Sequence, residues 1–156
     1  MNRQIKIYLI EYVDIAKAKQ AILQTYSQEH DGMRYSIDHA DKGRPFLKRE
    51  GERYGEISVS HTANMLAIAF SDMPIGIDLE KRDREIDKRV CDSIEHWTRY
   101  EAYGKWLGEG ISRKLLKGQL PDKLLRTRII NGCYLSICSE SDEPDSITII
   151  DNKKIL

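Results

Sequence analysis

Residues 75–80 read Ile75-Gly-Ile-Asp-Leu-Glu80. In an extended strand alternate side chains share a face, so Asp78 and Glu80 project together while Ile77 and Leu79 turn to the opposite, apolar side. Such a strand lays one face on a core and offers two carboxylates on the other. Further along, Trp97-Thr-Arg-Tyr-Glu-Ala-Tyr-Gly-Lys105 carries Glu101 and Lys105 four apart, which makes them neighbours one turn along a helix. A helix packed on that strand brings three carboxylates and one amine together. Carboxylate oxygens without Cys or His suit a hard cation such as Mg2+, which is completed by water and substrate phosphates. Each piece also has a plainer reading. An Asp-x-Glu at the end of an apolar strand is often the solvated half of an alternating pattern. Glu four residues before Lys is the favoured surface pair of a helix, worth about 0.2–0.5 kcal/mol without any function.

Working outward, Glu56-Ile-Ser-Val-Ser60 and Met65-Leu-Ala-Ile-Ala-Phe70 precede this stretch as short apolar runs separated by turn residues, and the three read as successive antiparallel strands. The alternation of Ile5, Ile7 and Leu9 marks an opening strand. Asp14 is placed to cap a helix running through Ile15, Ala18, Ile22, Leu23 and Tyr26 and ending near 30–32. The segment 38–54 is polar, contains Gly43, Pro45 and Gly51, and reads as a loop with a short extended piece around Phe46-Leu47. Downstream, Val90, Ile94, Trp97 and Glu101 keep helical spacing until Gly108 and Gly110, and Leu115-Leu116 indicates another helical turn. Arg128–Ile130, Tyr134–Cys138 and Ser146–Ile150 read as closing strands, with turns at Asn131-Gly132 and Glu143-Pro144. Trp97, Tyr103 and Trp106 at helical spacing are assigned to packing, with Trp97 supporting the site.

The chain has 156 residues, enough for one domain with a substantial core. Lys plus Arg and Asp plus Glu both total 25, so net charge is zero and no global field favours nucleic acid or a membrane surface. Cys91, Cys133 and Cys138 are odd in number and lack zinc-type spacing, which fits free thiols in a reducing compartment. The first ten residues lack the pattern of a signal peptide, and no run approaches the about 20 apolar residues that span a bilayer. A cytoplasmic protein is expected.

Taken in order, Gly43-Arg-Pro45, Ile57-Ser-Val-Ser-His61, Ile75-Gly-Ile-Asp-Leu-Glu80, Trp97-Thr-Arg-Tyr-Glu-Ala102 and Lys105-Trp-Leu-Gly-Glu-Gly110 resemble the motifs of the 4'-phosphopantetheinyl transferases, closest to the Sfp-like type. The resemblance spans residues 43–110. It implies an α+β fold of two similar lobes, each a small antiparallel sheet with helices, divided here into an N-terminal lobe of about 1–74 and a C-terminal lobe of about 75–156. It implies a monomer with a coenzyme A site between the lobes. The implied activity is Mg2+-dependent transfer of 4'-phosphopantetheine from coenzyme A to a serine of an acyl or peptidyl carrier protein, releasing adenosine 3',5'-bisphosphate. By similarity, Asp78, Glu80 and Glu101 hold Mg2+, and Glu101, directly or through a metal-bound water, also accepts the serine proton. Lys105 stabilises the leaving phosphate, Ser60 and His61 contact coenzyme A phosphates, and Arg44 lies beside the adenine and 3'-phosphate.

Two features depart from that pattern. Tyr100 stands where the family usually has Lys before the catalytic Glu. Residues 81–96 form a shorter connection than usual, without its Phe-rich segment. These departures motivate a second reading, a noncatalytic coenzyme A or carrier-protein binding relative; a third, a different metal-dependent phosphoryl-transfer enzyme, uses the same carboxylates.

Overall fold

A computed structural model describes residues 4–140, 144 and 146–151. The chain opens with β1 (Ile5–Glu11) and α1 (Ile15–His30), followed by β2 (Tyr35–His39), β3 (Pro45–Arg49), β4 (Glu52–Thr62), β5 (Met65–Ser71) and β6 (Gly76–Lys81). Then come α2 (Ile94–Leu107), α3 (Arg113–Lys117), a 3-10 turn, β7 (Leu125–Ile130), β8 (Cys133–Cys138) and β9 (Ser146–Ile150). The fold class is α+β, as expected. One sheet has six strands in the order β2-β3-β4-β5-β1-β9 and the other has three in the order β6-β8-β7. The two sheets are thus unequal, and the last strand returns to the first sheet to lie parallel beside β1.

The layers follow from side-chain alternation. Tyr8, Ile10, Leu66, Ile68 and Phe70 face α1, which buries Ala18, Ile22, Leu23 and Tyr26 against them. Full burial of an Ile or Leu here contributes about 1.5–3 kcal/mol each. Asp14 caps α1 by accepting the Lys17 amide at 3.2 Å, and the helix ends at His30. Ile7, Leu9, Ala67 and Ala69 face the other way and meet Ile77, Leu79, Leu135 and Ile137 of the second sheet. The far side of that sheet therefore carries Gly76, Asp78 and Glu80 towards α2.

Three readings of the sequence change. The segment 38–54 is largely strand, because β2, β3 and β4 form an antiparallel meander. Its charged side chains pair locally, Lys48 with Asp38 at 2.9 Å and Arg49 with Asp31 at 3.2 Å, which is why composition alone reads as loop. β6 does not continue the sheet after β5; it pairs antiparallel with β8. Val90 lies outside α2 and is exposed, since the helix begins only after its Ser93 cap.

The turn at Asn131-Gly132 has both residues at positive φ, as a tight hairpin turn requires. Glu143 of the expected Glu143-Pro144 turn lies outside the described residues. The three cysteines are free and buried. Among the described residues, no helix is long and apolar enough to cross a membrane.

Candidate active site

β4 and β6 lie side by side without a backbone ladder between them. Ser58 and Ser60 fill that role from alternate positions of β4. The Ser58 hydroxyl accepts the Ile77 amide at 2.9 Å, and the Ser60 hydroxyl accepts the Leu79 amide at 2.9 Å. Ser60 also donates to Asp78 Oδ1 at 3.1 Å. The serines thus tie the edge of the small sheet to the large one and fix the Asp78 side chain.

From the other side, α2 approaches β6 across Gly76. A methyl group there would overlap the Ala102 carbonyl and the Trp106 amide. This close approach brings Lys105 to Asp78 and sets Glu101 where its charge and those of the strand's carboxylates act on one another. Lys105 Nζ donates to the Val59 carbonyl at 3.0 Å and stands 3.6 Å from Asp78 Oδ1. At the end of α2, Gly108 adopts a left-handed turn (φ 76°), and Arg44 lies across it so closely that a side chain at 108 would strike the guanidinium.

Asp78 is 5% exposed and its Oδ2 has no hydrogen-bond partner among the described residues. Burial pushes its carboxyl up to about 7; Lys105 pulls it down, Glu80 and Glu101 add to the rise, and the Ser60 hydrogen bond opposes it. Burial likewise raises Glu101, with Lys105 and Arg84 opposing and Glu80 adding to the rise. The three carboxylates therefore feel one another. Beside them, a cavity of about 270 Å3 is bounded by Gly43, Arg44 and Pro45, by Ser58 and Val59, and by Lys105 and the 108–110 loop. Its wall carries the cations Lys42, Arg44 and Lys105, and the acid Glu109.

Of the residues singled out from sequence, Ser60, Asp78 and Lys105 are in contact, Glu80 and Glu101 are near enough for their charges to act on Asp78, and Arg44 shares a cavity with Lys105. His61 stands apart. It is exposed on the opposite face of β4 from Ser60, where its Nδ1 lies 3.3 Å from the Tyr12 hydroxyl, because adjacent strand residues point apart. Ser60 faces the carboxylates with its hydroxyl engaged by Leu79 and Asp78. Tyr100 is buried and donates to the Gly118 carbonyl at 3.1 Å, so its position directs no cation at the site. Tyr103 and Trp106 pack around Ala102, Leu125 and Cys138, and Trp97 is half-buried.

No family model matches the chain, and no curated protein matches it. The site must be read from its own chemistry.

One residue that sequence reading missed stands within it. Arg84 Nη1 donates to Glu80 Oε2 at 2.7 Å. It belongs to none of the motifs, and no periodicity in the exposed turn after β6 flags it.

The donor set is of the oxygen type that a hard divalent ion takes. Asp78 Oδ2 is a buried oxygen lacking a donor, its carboxyl is held up in pKa by burial and neighbouring acids, and all the acids present are oxygen donors. A doubly positive charge would relieve that strain directly. In the geometry described, no three of the described His, Cys, Asp or Glu side chains are already gathered at ligating distance. Glu80 is held by Arg84, and Asp78 by Ser60 and Lys105.

Proposed function

We propose that this protein transfers 4'-phosphopantetheine from coenzyme A to a serine hydroxyl of an acyl or peptidyl carrier protein, with Mg2+. One observation carries the reading: Lys105 stands beside Asp78 and at the same time lines a cavity that Arg44 also lines. Phosphate-binding cations and metal-type carboxylates thereby adjoin one cleft, which phosphoryl transfer requires.

Asp78, Glu80 and Glu101 would hold the ion, which when bound neutralises charge on the pyrophosphate. Lys105 and Arg44 bind and orient the phosphates by charge-assisted hydrogen bonds. Glu101, made more basic by burial, accepts the proton as the serine oxygen bonds to the phosphorus bearing the pantetheine arm. The bond from that phosphorus to the oxygen of adenosine 3',5'-bisphosphate breaks, and Lys105 balances the charge on that leaving group. The same reading takes residues of about 1–74 and 75–156 as the two lobes of the transferase fold, with β9 crossing back to the first sheet, a monomer as the working unit and the cytoplasm as its location.

The test is incubation with coenzyme A, Mg2+ and a set of apo carrier proteins, followed by intact-mass measurement. One phosphopantetheine added to at least one carrier is expected. Coenzyme A binding without addition to any carrier selects the noncatalytic relative, the second reading that the inward-turned Tyr100 favours. Turnover of simple phosphodiesters without any carrier selects a different phosphoryl-transfer enzyme.

A further inference from the structure

The carboxylates are bracketed by two cations of different character. At one end Lys105 is anchored by the Val59 carbonyl. At the other, Arg84 reaches Glu80 from an exposed turn, with its own side chain 50% exposed and that of Glu80 12%. Glu80 is the acid Arg84 contacts, at 2.7 Å, and the charges of Asp78 and Glu101 also act on its guanidinium. A divalent ion at Glu80 would repel the guanidinium and weaken its hold on that carboxylate. A half-exposed guanidinium has another partner available when the site is loaded. Its planar fork of N–H donors matches phosphate oxygens.

We infer that Arg84 is a positioning residue that exchanges partners: it neutralises Glu80 in the empty site and moves to a phosphate oxygen of the metal-bound substrate. The inference rests on the proposed function above.

The exchange makes removal of Arg84 act in opposite directions on two ligands. Mn2+ binding, followed by electron paramagnetic resonance, should tighten roughly three- to tenfold in Arg84→Gln, because Glu80 is released from its competitor. Coenzyme A binding at saturating Mg2+, followed by calorimetry, should weaken roughly tenfold through the lost charge-assisted contact. Arg84→Lys should restore part of the coenzyme A affinity. Arg82→Ala removes a positive charge from the same turn, where Arg82 sits 5.7 Å from the Tyr134 ring centre, and should change neither ligand appreciably. If Arg84→Gln leaves both affinities unchanged and only lowers the melting temperature, or weakens both, Arg84 is a structural strut and the inference is overturned. Wild-type protein that binds neither Mn2+ nor coenzyme A overturns the transferase reading itself, and this inference with it.

Discussion

Gly76 on β6 lies against the Ala102 carbonyl of α2 with no room for a methyl group between them. The obstruction is backbone on both sides, so a side chain at 76 cannot be accommodated by a rotamer change. The glycine at the head of the Ile75–Glu80 stretch thus sets how near Glu101 and Lys105 come to Asp78.

Gly76→Ala should accordingly cost about 3 kcal/mol, the upper range for overpacking a close contact. It should also weaken coenzyme A binding, because the helix carrying Lys105 is pushed away. Urea denaturation and calorimetry on the same variant check both; unchanged stability would mean the helix moves freely on the sheet.

The two bridging serines separate structure from site. Ser58→Ala and Ser60→Ala each leave a buried amide, of Ile77 or Leu79, without its acceptor and should each cost about 1–3 kcal/mol. Only Ser60→Ala also removes a donor from Asp78 and should therefore raise the pKa of that carboxyl further. The pH dependence of stability distinguishes them: its midpoint moves up in Ser60→Ala and stays in Ser58→Ala.

The direction of that pH dependence follows from the raised carboxyl. Asp78 titrates at about 7 in the folded protein against an ordinary 3.8, so the folded state holds this proton more tightly than the unfolded chain does. Its contribution to stability is full below about pH 4 and is lost as pH rises through about 7. Asp78→Asn should flatten that fall in urea denaturation midpoints measured without metal. A fall that persists unchanged in the variant assigns it to another group.

For catalysis, Asp78→Ala and Glu101→Ala should abolish transfer to a carrier while retaining the circular dichroism and cooperative unfolding of the wild type. Lys105→Ala should lower turnover by roughly 10²–10³, the usual effect of removing one stabiliser of developing charge. Intact-mass time courses measure all three. Loss of folding in every variant would make these residues parts of the core.

Much of the fold was legible where local pattern and final environment agree. β1, β5 and β6 are apolar alternations or runs that ended in a core, and α1 and α2 carry side-chain caps at Asp14 and Ser93. The β2–β3 meander was hidden because its strands are short, and their charges are neutralised by cross-strand and loop partners that a one-dimensional reading cannot pair. The placement of β6 in a second sheet and of β9 beside β1 depends on long-range pairing, which leaves no local mark. In the site, the period of two and the spacing of four foretold which acids share a face. They did not foretell that Ser60 would be consumed in holding Asp78 and Leu79, or that Arg84 would turn back onto Glu80.

The parallel seat of β9 beside β1 bears on how the chain matures on the ribosome. Until residues 146–150 emerge, one margin of β1 offers its amides and carbonyls to any passing strand. The nascent protein is consequently open to mispairing along that margin until β9 has been made, and a holdase acting on it should bind at β1 and let go once β9 has paired.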